Sequence, residues 1–130
     1  MSRTGSCLCG AVTFEADALP SLQACHCRTC RKWSGGPFMA VPCKSADFKG
    51  EIKRFSVSKR ADRGFCPTCG THLFFYSKPG DMYGVPAGLF DEDPESVLRA
   101  EYFIDEKPEN YCFAEDTKKL TGAEFRAKFG

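Results

Sequence analysis

The chain has 130 residues, with 18 basic and 17 acidic side chains and a formal net charge of +1. That length suits one domain with its own core, read here as 1–130, and the near-neutral balance leaves no electrostatic footprint for nucleic acid or an anionic membrane surface. No apolar run approaches the roughly 20 residues that span a bilayer, and the opening MSRTGSCLCG lacks the apolar core of a secretory signal, so the expected compartment is the cytoplasm.

In chain order, GAVTFEA (10–16) sets Val12 and Phe14 against polar neighbours, a period-two strand pattern. SLQAC (21–25) is expected to pair with it after a turn at Pro20. RTCRKWSGG (28–36) reads as one or two helical turns stopped by Gly35 and Gly36. PFMAVPC, EIKRFSVS, THLFFYS and MYGVPAG then read as strands separated by turn residues. Asp93 and Pro94 have the form of an N-cap followed by a first-turn proline, opening a short helix through Leu98. EYFID (101–105) reads as another strand. Thr121 and Glu124 make a capping box for a terminal helix that packs through Phe125 and Phe129. Twelve Phe against seven Leu, with twenty Gly and Pro together, favour short strands and turns over long helices.

Nine cysteines demand an explanation. Their number is odd and a reducing compartment keeps thiols free, which disfavours a disulfide framework. Seven of the nine fall into Cys7-x-Cys9, Cys25-x-Cys27-x-x-Cys30 and Cys66-x-x-Cys69. Such spacing is that of zinc ligands, and metal binding supplies folding free energy to a domain short of aliphatic residues. Pairing Cys7 and Cys9 with Cys66 and Cys69 closes one four-thiolate site and leaves Cys25, Cys27 and Cys30 as a three-thiolate site. Joining Cys27 and Cys30 to Cys66 and Cys69 is an alternative that spacing does not exclude.

Three thiolates on Zn²⁺ carry a net charge of −1, which makes the metal a weak activator of water and suits its remaining position to a soft sulfur ligand. Zinc there holds an incoming thiol as thiolate at neutral pH, ready to add to an electrophile. Arg28, Arg31 and Lys32 lie beside these ligands and are suited to offset negative charge or pair with a substrate carboxylate. Cys43, His26, His72 and Cys112 are the candidates to close the site with a fourth protein ligand. His26 is awkwardly placed between two ligands, His72 should face away from Leu73, and Cys43 and Cys112 lie in apolar surroundings where free cysteine acts as a small hydrophobe.

GSCLCGAVTFEA, CHCRTCRKWSGGPF and SVSKRADRGFCPTCGTHLFF resemble the motif series of the glutathione-dependent formaldehyde-activating enzyme family, whose domain is shared with centromere protein V. The resemblance covers nearly the whole chain. It implies a mainly β, β-tent (Rab-chaperone-like) zinc fold of small antiparallel sheets with short helices. It also implies two zinc ions, one structural on Cys7, Cys9, Cys66 and Cys69 and one catalytic on Cys25, Cys27 and Cys30. The implied activity is that of a carbon–sulfur lyase joining a glutathione-type thiol to a small aldehyde such as formaldehyde, as S-hydroxymethylglutathione.

Arg63 matches the S-x-x-x-x-R-x-F-C pattern from Ser58 to Cys66 and, with Arg28, is the candidate substrate contact; its bland alternative is a surface strand charge. Trp33 is expected to pack under the short helix, and Phe38, Phe74 and Phe75 to lie in the core. Two departures stand out: His72 follows Thr71 where the family often has proline, and Glu101 stands where it commonly has histidine. The rival expectation is a non-catalytic zinc-stabilised binding module, with both metals inert.

Overall fold

The period-two pattern at the amino end becomes β2 (Thr13–Ala18), in which Phe14, Ala16 and Ala18 are buried and the residues between them exposed. The computed structural model describes residues 1–93 and 97–130. β2 pairs antiparallel with β1 (Ser2–Ser6), from Ser2 opposite Asp17 to Ser6 opposite Thr13. β1 reads SRTGS and has no apolar alternation; the ladder to β2 is what makes it a strand.

The hub is the 12-residue β4 (Phe38–Lys49). Its second half, Cys43 to Lys49, pairs with β2. Its first half pairs with β3 (Leu22–Cys25) on one edge and β8 (Met82–Pro86) on the other. β3 therefore does not pair with β2 as expected. Both edges of β2 are already taken by β1 and β4, and the tight turn at Leu19–Ser21, with the Leu19 N–H donating to the Pro42 carbonyl at 2.9 Å, carries the chain onto the first half of β4.

From β8 the sheet continues antiparallel through β7 (His72–Ser77), β6 (Ala61–Phe65) and β5 (Lys53–Ser56). On the far side β3 runs parallel to β9 (Leu98–Tyr102), and β9 parallel to β10 (Lys118–Leu120). The fold is mainly β, dominated by antiparallel pairing, with short helices.

The expected helix from Asp93 falls on residues 94–96, outside the described residues, and Leu98 already opens β9. EYFID is a strand only through Tyr102; Phe103 turns the backbone with φ 54°, and Ile104–Glu106 form a single 3-10 turn. The other two expected helices both form. α1 (Arg28–Ser34) ends at Gly35, whose φ of 79° is the left-handed value that glycine adopts without strain. α2 (Gly122–Phe129) carries the complete capping box, and Phe125 and Phe129 lie 4.9 and 5.6 Å from the Tyr102 ring.

Burial divides into three connected clusters. Phe14, Val41, Cys43, Val85 and Phe90 fill the space where β2, β4 and β8 meet. Val12, Leu73 and Phe74 pack with Cys7 and Cys66. Phe38 and Ala40 pack with Cys30, against which Cys25, Cys27 and Phe75 lie half-buried. Each cysteine group is thus continuous with apolar core. Among the described residues no helix is long and apolar enough to cross a membrane.

Candidate metal centres

The first centre is built from two turns. After β1, the chain folds back at Cys7–Val12, with the Gly10 N–H donating to the Cys7 carbonyl. Between β6 and β7, the Gly70 N–H donates to the Cys66 carbonyl, and Gly70 takes a φ of 79°. These turns bring Cys7, Cys9, Cys66 and Cys69 together with all four sulfurs within 4.8 Å of one another. Cys7 and Cys9 Sγ are 3.6 Å apart, and Cys9 and Cys66 Sγ 3.9 Å. Four sulfurs around a tetrahedral zinc at about 2.3 Å are about 3.8 Å apart, so this donor set fits a metal as it stands. The alternative that groups Cys27 and Cys30 with Cys66 and Cys69 is not the one the fold makes.

Thr71 locks the two turns together. Its Oγ1 accepts the Leu8 N–H at 3.1 Å and lies 3.1 Å from Cys69 Sγ. That hydroxyl, helped by the Thr71 and Cys9 backbone N–H groups, lowers the Cys69 pKa to about 5, favouring the thiolate. Burial opposes ionisation of Cys7, but the Val12 N–H and the neighbouring thiols outweigh it and bring its pKa below the ordinary value. Spacing alone carried no signal for Thr71.

The second centre lies at the start of α1. Cys25 ends β3, Cys27 is the N-cap of α1, and Cys30 is buried one turn along. As N-cap, the Cys27 Sγ accepts the Cys30 N–H at 3.3 Å. The three sulfurs lie within 4.8 Å of one another, and among the described residues no Cys, His, Asp or Glu atom joins them as a fourth. The neighbouring Cys25 and Cys30 side chains, with the Cys30 N–H, lower the Cys27 pKa to about 2 against the effect of burial. Cys25 is raised in turn by its interaction with Cys27; Cys30, which Cys25 lowers, is carried up to about 11 by Cys27 and by burial. Three convergent sulfurs are a donor set suited to a soft or borderline metal such as zinc.

None of the candidate fourth ligands joins the three sulfurs. His26 is fully buried and turned away from the sulfurs: Nε2 is 2.8 Å from Glu101 Oε1, and Nδ1 is 2.8 Å from the Tyr111 hydroxyl. Glu101 is 2% exposed and is also bonded to the Thr117 hydroxyl, with Lys119 Nζ at 3.7 Å. Glu101 therefore anchors His26 and does not face the thiol cluster. Burial works against its charge, but bonds from Thr117 and His26 hold its carboxyl below the usual range. His72 packs on Trp33 with ring centroids 4.6 Å apart, while Leu73 is buried on the opposite face. Burial, with help from the Arg63 charge, lowers the His72 pKa. Cys43 is buried in the β2–β4–β8 core, as expected, where desolvation pushes its thiol up to about 12; Cys112, expected in apolar surroundings, is instead exposed.

The arginines divide. Arg28, the first residue of α1, is exposed; with Arg31, Lys32, Pro108 and Tyr111 it lines a cleft of about 320 Å³ beside the second centre. Arg31 Nε is held by the His26 carbonyl at 2.9 Å. Arg63 is no surface charge: it is 1% exposed, and its Nη2 donates to Cys30 Sγ at 3.1 Å. Gly64 beside it has no Cβ because one would overlap the Phe74 ring. Trp33 is half-buried, bridging α1 to Phe55, Phe65 and His72, and Phe75 is half-buried, its ring face toward Arg63.

A mainly β fold that gathers three separate cysteine groups into a four-sulfur and a three-sulfur cluster defines a class of proteins built around two potential metal centres. The chain belongs to the glutathione-dependent formaldehyde-activating enzyme family, whose profile matches residues 2–106. It is 38% identical over 122 residues to an uncharacterized lyase of Schizosaccharomyces pombe, covering 90% of this chain and 89% of that protein. Its fold is similar to the crystal structure of a Rhodobacter sphaeroides protein, with a TM-score of 0.59 at 22% identity over 68% of this chain and 87% of the other.

Proposed function

We propose that the protein is a zinc-dependent carbon–sulfur lyase that interconverts a glutathione-type thiol plus a small aldehyde, such as formaldehyde, with their S-hydroxymethyl adduct. Family membership and the lyase relative support lyase chemistry. The observation that carries the finer reading is the difference between the clusters: four sulfurs in one and three in the other, with no fourth Cys, His, Asp or Glu among the described residues. In this reading Cys7, Cys9, Cys66 and Cys69 hold a structural zinc and Cys25, Cys27 and Cys30 a catalytic one. The free thiols suit a reducing compartment such as the cytoplasm.

When bound by Cys25, Cys27 and Cys30, zinc would supply a Lewis-acidic position that favours the thiolate form of an incoming thiol. The chain's own residues do the rest. Arg28, with Arg31 and Lys32 along the same cleft, binds the carboxylates of the thiol substrate and orients its sulfur toward the cluster. Arg63 adds positive charge behind Cys30, on the side away from solvent. The buried hydrogen bond between His26 Nε2 and Glu101 Oε1 anchors the residue that lies between Cys25 and Cys27.

In the forward direction the sulfur lone pair forms a bond to the aldehyde carbon. The C=O π pair moves to oxygen, which takes up the proton given up by the thiol. The reverse step breaks that C–S bond, and no electron acceptor is required.

The test is to mix glutathione and formaldehyde with zinc-loaded protein and follow adduct formation by NMR. A rate above the spontaneous one, lost in folded Cys27→Ser, is the expected result. A rate no greater than background across several thiols and aldehydes removes the proposal and leaves a zinc-stabilised binding module.

A further inference from the structure

Arg63 is held in surroundings that should expel it. β6 places it between Phe55 of β5 and Phe75 of β7 in the ladder. Its guanidinium lies 5.5 Å from the Trp33 ring, 5.5 Å from Phe38 and 5.2 Å from Phe75. It is 1% exposed and pairs with no carboxylate among the described residues. Its Nη2 donates to Cys30 Sγ, while Nε and Nη1 are buried without a partner. A desolvated cation without an anion is strongly unfavourable, and arginine does not escape by losing its proton. Three aromatic faces recover part of that penalty, yet they carry no net charge. Among the described residues, the acidic group that Arg63 meets is the thiol cluster itself.

We propose that Arg63 is the built-in counter-ion of the three-cysteine cluster. This rests on the metal occupancy of Cys25, Cys27 and Cys30 proposed above. Three thiolates and a divalent metal sum to −1, and one guanidinium brings the assembly to zero. The site then accepts an anionic thiolate without accumulating a charge of −2. The Nη2–H donated to Cys30 also withdraws electron density from that sulfur, so the sulfur donates less to the metal. Arginine suits the position better than lysine because its flat, weakly hydrated cation stacks on rings while directing an N–H at sulfur. Arg63 acts through Cys30, so it is a positioning residue rather than a catalytic one.

The test loads wild-type protein, Arg63→Met, Arg63→Gln and Arg63→Lys with Co²⁺. It reads the affinity of each cluster by chelator competition and the sulfur-to-cobalt charge-transfer band by absorption. In Arg63→Met the metal-free protein should be at least as stable as wild type, because an unpartnered buried cation is gone. Its three-sulfur cluster should nonetheless bind about 10- to 100-fold more weakly, with the four-sulfur cluster unchanged. The band of the weakened cluster should move to lower energy as Cys30 becomes a stronger donor. A purely packing role would lower stability and leave both band and affinity in place.

An affinity within about twofold of wild type in folded Arg63→Met overturns the proposal. Should that variant fail to fold, the other two decide. Arg63→Lys keeps the charge and should retain most of the affinity, whereas Arg63→Gln keeps a donor without charge and should not. Equal losses in Lys and Gln overturn the counter-ion role. A wild-type protein whose three-sulfur cluster takes up no Co²⁺ while the other fills overturns both this proposal and the catalytic reading. Normal uptake with indifferent Arg63 variants removes this one alone.

Discussion

Arg28 and Glu101 bear on the three-cysteine cluster from opposite environments. Arg28 is exposed along the basic cleft, so its charge is available to a dissolved substrate. In the proposed enzyme, Arg28→Glu should raise KM for glutathione about tenfold, as loss of a charge-assisted contact does, and leave KM for the neutral thiol 2-mercaptoethanol within about twofold. Steady-state kinetics with both thiols measures the contrast.

Glu101 is buried against His26, Thr117 and Lys119. Glu101→Leu leaves the buried His26 Nε2 without its hydrogen-bond partner and should cost about 1–3 kcal/mol in urea unfolding. Because the folded carboxyl titrates below its unfolded value, its stabilisation is complete above the unfolded pKa of about 4.3 and is lost as pH falls through the lower folded value. Wild-type stability should therefore drop steeply below about pH 4, and that of Glu101→Leu less steeply.

At the scale of elements, β6 shows why local pattern is insufficient. ADRGF has no period-two alternation, and its burial puts Ala61, Arg63 and Gly64 inside. A charged residue at a core position reads as a surface strand until the thiol it faces is known. β1 and β10 are similarly silent, since SRTGS and KKL become strands only through the partners that hydrogen-bond to them. α1 and α2 were legible because their signals are local: a glycine stop in one and a reciprocal Thr121–Glu124 cap in the other. Gly64→Ala tests β6. The added methyl meets the Phe74 ring, and the overpacking should cost about 1–3 kcal/mol and displace the strand that carries Arg63 toward the clusters. Thermal unfolding reads the first effect and Co²⁺ affinity of both clusters the second.

At the scale of the whole molecule, the four-sulfur cluster ties residues 7–9 to residues 66–69, and the β1–β2 hairpin to the β6–β7 hairpin. A metal there converts binding free energy into folding free energy. In the proposed two-zinc protein, a strong chelator should lower Tm substantially, and added zinc should restore it in a concentration-dependent way. Cys66→Ser should largely unfold the chain, because Cys66 is wholly buried in the core cluster of Val12 and Leu73, whereas Cys27→Ser should leave native-like circular dichroism. Equal loss of structure in the two variants would place both clusters in the same scaffolding role.

By itself, the sequence determined the cysteine groups, the β-rich character and the helix ends, because each depends on residues within a few positions of one another. The family resemblance was legible for the same reason: its motifs are short and contiguous. Tertiary structure alone decided that β3 leaves β2 for β4 and β9, since strand partnership depends on which edges remain free. It also decided that Glu101 faces His26 across 75 positions of chain and that Arg63 reaches Cys30 across 33. Those contacts join side chains far apart in sequence, and the free energy that selects them comes from burial and charge pairing that exist only once the sheet has formed.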